Sequence, residues 1–88
     1  MSKFHMLKTI PPFFEQITSG KKKFEIRKND RDFKVGDYLQ LREYDSVTKE
    51  YTERETNRIV THIMRKEGVP FGLREGYCIM SITNSILT

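Results

Sequence analysis

A single cysteine, no paired metal-ligand spacing and no long apolar run set the first limits on this 88-residue chain. With only Cys78, no disulfide forms within one chain, and a lone thiol fits a reducing, cytoplasmic setting. Cys78 lies in the apolar run YCIMSI and reads as a small core residue rather than a nucleophile. His5 and His62 fall on different expected strands, so neither a structural zinc site nor any other cofactor is expected. There is no GxSxG, P-loop, CxxC or HExxH element. No apolar run approaches the roughly 20 residues of a membrane-spanning helix. The opening MSKFHMLKTIPPFF has no continuous apolar segment, so neither a signal peptide nor a membrane partner is expected. The length predicts one domain over 1–88. A chain of this size buries only roughly 60–65% of its unfolded surface, so the core is modest.

What is present is charge, and it is concentrated. Residues 21–34 hold seven basic residues against three acids, a surplus of four. The whole chain carries +4, so the remaining 74 residues balance. A basic field this local, on an ordered scaffold, is a candidate site for a polyanion.

The pattern predicts an order β–α–β–β–β–β. Residues 3–9 alternate as a short strand. Pro11 and Pro12 open a helix at about 11–19, with Phe13, Phe14 and Ile17 at helical spacing and Gly20 as its αL cap. In KKFEIRK, alternation predicts a half-buried strand with Phe24 and Ile26 in the core and Lys23, Glu25 and Arg27 facing outward. NDRDFKVGD is a loop whose Val35-Gly36-Asp37 turns into a strand carrying Leu39 and Leu41. Asp45 to Glu50 is a hairpin loop. YTERETNRIVTHIM is one bent strand, with Ile59, Thr61 and Ile63 on one face and a polar first half that protrudes or sits at an edge. Residues 65–76 form a loop, and GYCIMSIT is a buried strand. The fold class is α+β, mostly β: a small, mostly antiparallel, partly closed barrel of about five strands, with the short N-terminal helix as a plug.

The candidate binding residues are Lys21, Lys22, Lys23, Glu25, Arg27, Lys28, Asn29 and Arg31. Glu25 and Arg27 share a strand face beside Lys23. Such a face is either a solvated ion pair, worth at most about 1 kcal/mol, or the floor of a cleft. In a cleft, Arg27 would grip a phosphate and Glu25 would accept from a base or ribose hydroxyl. Lys21 to Lys23 complement the helix C-terminus, yet three in a row exceed that need and favour a phosphate contact. Asn29, Arg31 and Phe33 follow in the loop. An arginine and an aromatic there would stack a splayed base, or Phe33 closes the barrel mouth. Tyr38, Arg42 and Tyr44 extend the basic, aromatic surface if their strand pairs with 23–27.

These residues resemble a known family. The run from His5 to Asp45, with GYCIMSI at the end, is similar to the ASCH domains of the PUA-like superfamily, and closely so to a small uncharacterised ASCH-type family of bacteria and phages. The shared elements are Ser19-Gly20-Lys21-Lys22, Glu25-Ile26-Arg27 and Val35-Gly36-Asp37, and the resemblance covers essentially the whole chain. It implies a PUA-like barrel with a cleft between helix and barrel near Gly20, Lys22, Glu25 and Arg27. It also implies an RNA-related role, since such domains are proposed to bind RNA and occur in activating signal cointegrators. Some similar bacterial proteins are amidohydrolases acting on an acetylated cytidine through a lysine, a threonine and a glutamate. Lys22 falls on that lysine, whereas Glu25 stands at the threonine position, and the short loop 65–76 replaces a longer helical segment. Other relatives are linked to RNA cleavage.

The expected function is therefore an RNA-binding module, recognising RNA or a nucleotide-like ligand around GKKKFEIRKNDR. The alternative is a small-molecule enzyme on a modified nucleoside, with Lys22 and Glu25 as catalytic residues. A protein-interaction domain using the polar strand 51–58 is a third option, with no partner specified by the chain.

Overall fold

A computed structural model describes residues 2–65 and 72–84, so residues 66–71 of the loop expected at 65–76 lie outside the described residues. The elements are β1 (Phe4–Thr9), α1 (Pro11–Thr18), β2 (Phe24–Lys28), β3 (Tyr38–Asp45), β4 (Glu50–Arg65) and β5 (Tyr77–Asn84). They follow the expected order. Pro11 and Pro12 start α1, Phe14 and Ile17 are its buried face, and Gly20 follows the C-cap at φ 82°. That φ suits a residue without Cβ.

The five strands form one sheet in the order β1–β3–β4–β5–β2, curved into a half-barrel with one short helix. Three pairings are antiparallel, but β1 and β3 run parallel. Parallel neighbours need a long crossover, and here α1, β2 and the following loop supply it. The condition that β3 pairs with β2 is not met: β2 pairs with β5, and β3 lies between β1 and β4. Consequently β1 and β2 are the two edges of the sheet, facing each other across a seam.

Leu7 of β1, Ile17 of α1, Leu39 and Leu41 of β3, Val60 of β4, and Cys78, Met80 and Ile82 of β5 meet in the core. Phe33 joins them from the loop after β2, its ring edge-on to His5 at 4.7 Å between centroids. It is a core residue, not a stacking platform. Burial pushes the Cys78 thiol up, in keeping with its core role.

Two strands present faces other than those expected. On β2 the assignment inverts: Glu25 is buried at 3% exposure, whereas Phe24 and Ile26 are 42% and 52% exposed. On β4, Thr56, Arg58 and Val60 face inward, and a bulge between Val60 and His62 shifts the register, so Thr61 is exposed while Ile63 packs on the core. A bulge opposes extra residues to a regular strand and flips the alternation. A second irregularity, where Tyr44 faces Tyr51 but Arg42 faces Glu55, carries Glu53 at φ 72°. It aims Arg54 at two carboxylates, Glu43 of β3 (Nε to Oε1, 2.9 Å; Nη2 to Oε2, 2.8 Å) and Glu15 of α1. The polar start of β4 thus clamps the helix to the sheet.

The turn before β3 is built around Asp37. Its Oδ1 accepts from the Lys3 N–H (2.9 Å), and its Oδ2 meets His5 Nε2 (2.8 Å) and the Lys34 N–H (3.0 Å). Gly36, at φ 94°, donates its N–H to the Val60 carbonyl, and Val60 donates back to Asp37.

Burial alone would raise the Asp37 pKa, but these hydrogen bonds together hold it below the ordinary carboxylate value. Hydrogen bonds from Arg54 do the same for Glu43, against burial and with help from Thr52. A carboxyl whose folded pKa is depressed stabilises the fold above its unfolded value and loses that contribution as pH falls through the folded one. Stability is therefore expected to hold at neutral pH and to fall as pH drops below about 4. A melting temperature unchanged from pH 6 to pH 2.5 would contradict this.

Candidate functional site

Edge strands expose carbonyls that have no ladder partner. On β1 the Lys3 carbonyl points to β3, where it accepts from Tyr38, so alternation turns the Met6 and Lys8 carbonyls toward the seam. Two arginines from the β2 side fill it. Arg27 Nη2 donates to the Lys8 carbonyl at 2.7 Å, and Arg31 Nη1 donates to the Met6 carbonyl at 2.8 Å. Each guanidinium spans a gap that backbone pairing leaves open.

Beside this closure, α1 and β2 wall a cleft of about 740 Å³. Lys8 and Thr9 come from β1, Ile10, Phe13 and Gln16 from the helix and its approach, and Lys21, Lys22 and Phe24 to Arg27 from the β2 side. Its lining is mainly apolar, with one charged cluster. Glu25 sits in that cluster, Oε1 accepting from Lys22 Nζ and Oε2 from Arg27 Nε, both at 2.8 Å. A buried carboxylate is tolerable only when paired and hydrogen-bonded, and here both oxygens are engaged. The Lys22 ammonium also lies 5.1 Å from the ring centroids of both Phe13 and Phe24, within cation–π range.

The sequence candidates separate by position. Lys21, Lys22, Glu25 and Arg27 meet in the cleft. Lys23 and Lys28 are exposed and do not line it. Asn29 accepts from the Phe33 N–H through Oδ1 (3.0 Å) and so shapes the loop. Arg31 braces β1 rather than facing the cleft. The expected outward row of Lys23, Glu25 and Arg27 is replaced by an inward-turned Glu25, because Lys22 and Arg27 satisfy its charge.

Sequence reasoning missed Lys8 and Thr9, which reach the site across the β1–β2 seam, and Ile10, Phe13 and Gln16, which α1 and its approach bring to it. It also placed Phe24 and Ile26 in the core. The available signal was Glu25 itself, flanked by cations at −3 and +2. Tyr44 connects to the cleft through Lys8, not through β2: Lys8 Nζ lies 4.4 Å from the Tyr44 ring centroid, whereas Arg42 lies over Tyr51 at 4.6 Å and does not line the cleft.

Residues 4–82 match the model of a domain of unknown function, DUF3850. The chain belongs to the DUF3850 family. All residues of the cleft lie within the matched span of this DUF3850 domain. The chain is also 35% identical over 63 residues to an uncharacterized 12.9 kDa protein encoded in the GpA 3′ region of Escherichia phage P2. That match covers 72% of this chain and 56% of the phage protein, so the chain spans little more than half the length of that relative. Among the described residues, no helix is long and apolar enough to cross a membrane.

Proposed function

We propose that the cleft binds a nucleotide presented within RNA, in the cytoplasm, and that the domain is an RNA-recognition module of the ASCH, PUA-like kind. One observation carries the reading: a buried carboxylate clamped between two cations, in a cleft flanked by the exposed rings of Phe13 and Phe24. Aromatic faces stack a splayed base. Glu25 accepts from base or ribose donors, and Lys8 and Lys21 supply positive charge for phosphate. The resemblance to ASCH domains supports the reading, because it falls on Gly20, Lys22, Glu25 and Arg27.

Binding of the purified domain to tRNA, single-stranded RNA, duplex RNA and free nucleosides should be titrated against salt. Affinity for RNA is expected to fall with a log–log slope of about −0.7 per neutralised phosphate on a single strand. Arg27→Ala is expected to weaken binding about tenfold to a hundredfold, and Lys3→Ala to leave it nearly unchanged. Failure to bind any of these ligands at low salt would remove the proposal.

The amidohydrolase reading has one observation in its favour, the convergence of Lys22 Nζ and Glu25 within one cleft. Catalysis needs such groups within about 3 Å of a reacting atom. Both Glu25 oxygens are held by cations, which suits recognition more directly than proton transfer. Turnover of an acetylated cytidine that is lost in Lys22→Ala would establish the enzyme instead.

A further inference from the structure

We infer that the cleft selects guanine, an assignment that rests on the nucleotide-binding reading above. The argument is the order of donors and acceptors around Glu25. A carboxylate offers roughly four lone-pair sites. Lys22 Nζ engages Oε1 and Arg27 Nε engages Oε2, which leaves acceptor capacity on each oxygen. The Lys22 ammonium has further N–H donors beyond the one it gives to Glu25. The Arg27 edge beside Glu25 is committed, its Nε donating to Oε2 and its Nη2 donating to the Lys8 carbonyl and lying 3.4 Å from Thr9 Oγ1. The cluster is therefore asymmetric. It reads donor, acceptor, acceptor from Lys22 across the two oxygens of Glu25.

The complement is an edge reading acceptor, donor, donor. Guanine presents that set through O6, N1–H and the 2-amino group. Uracil matches the first two positions and then sets a carbonyl oxygen against the carboxylate. Adenine supplies a ring nitrogen and one amino group, with nothing for the remaining oxygen. Cytosine sets an acceptor against a carboxylate oxygen in either orientation. Phe13 and Phe24 stack any base equally well, so discrimination falls to the Lys22–Glu25 pair.

The test compares the wild-type domain with guanosine, inosine, adenosine, cytidine and uridine monophosphates by calorimetry at low salt. A parallel arm uses short oligouridylates carrying one central guanine, inosine, adenine or cytosine. Guanine is expected to bind at least about tenfold tighter than the other bases, including inosine, which lacks only the 2-amino group. Glu25→Gln, which replaces an acceptor by an N–H₂ donor, is expected to erase that preference. Because the inosine comparison uses the unaltered protein, it stands even if this variant folds poorly. Equal binding of all bases in both arms overturns the guanine assignment and leaves nucleotide binding intact. Binding in neither arm overturns both.

Discussion

Asp37→Ala is expected to lower folding stability by about 3–5 kcal/mol, read from denaturant unfolding of the purified domain. Asp37 is 1% exposed and takes hydrogen bonds from the Lys3 N–H, the Lys34 N–H and His5. Removing the carboxylate leaves the buried His5 ring without its partner and takes the acceptor from the part-buried Lys3 and Lys34 N–H groups, and a buried unpaired donor costs about 1–3 kcal/mol. A domain of this kind has about 5–15 kcal/mol in total, so the loss is a large share. Asp37→Asn should recover little. Its N–H₂ group must face either the Lys3 or the Lys34 N–H, donor against donor. A loss below about 1 kcal/mol would mean that the turn before β3 does not depend on this anchor.

Phe33→Ala and Phe24→Ala are expected to act on opposite properties. Phe33, 1% exposed among the core residues, should cost about 3–5 kcal/mol of stability on truncation to alanine. Phe24 stands 42% exposed at the cleft wall. Its loss should change stability by less than about 1 kcal/mol while weakening ligand binding by about 1–3 kcal/mol, the range for one stacked base. Unfolding curves and binding isotherms on both variants separate the two roles. A Phe24→Ala variant that binds RNA like the wild type would remove the aromatic wall from the site.

The contrast between these two phenylalanines shows what local pattern conveys. Pro11-Pro12, the Phe14 and Ile17 spacing and Gly20 specify α1, because each acts within one or two turns. Leu39 and Leu41 specify the inner face of β3 in the same way. For β2, alternation defines two faces but not which turns inward. Burying Phe24 and Ile26 is the locally favourable choice. Glu25 goes inside because Lys22 and Arg27 pair with it, and Phe24 and Ile26 line the cleft beside it. Asp37 meets His5 from 32 residues away, and Arg58 reaches the Ile17 carbonyl from 41. No window in the sequence contains both partners. The charge surplus in 21–34 located part of the cleft, Lys21, Lys22, Glu25 and Arg27. The other wall needed the meeting of β1 and β2.

That meeting also bears on how the protein behaves in a crowded solution. An unpaired strand edge is a template on which a foreign strand can grow, and natural sheets defend such edges. Here the carbonyls of Met6 and Lys8 are already taken by Arg31 and Arg27. A guanidinium on a carbonyl removes an acceptor that strand addition would use and places a charge where an incoming backbone would lie. Arg27 therefore has two duties. It holds Glu25 in the cleft, and it helps keep the sheet from propagating into aggregates.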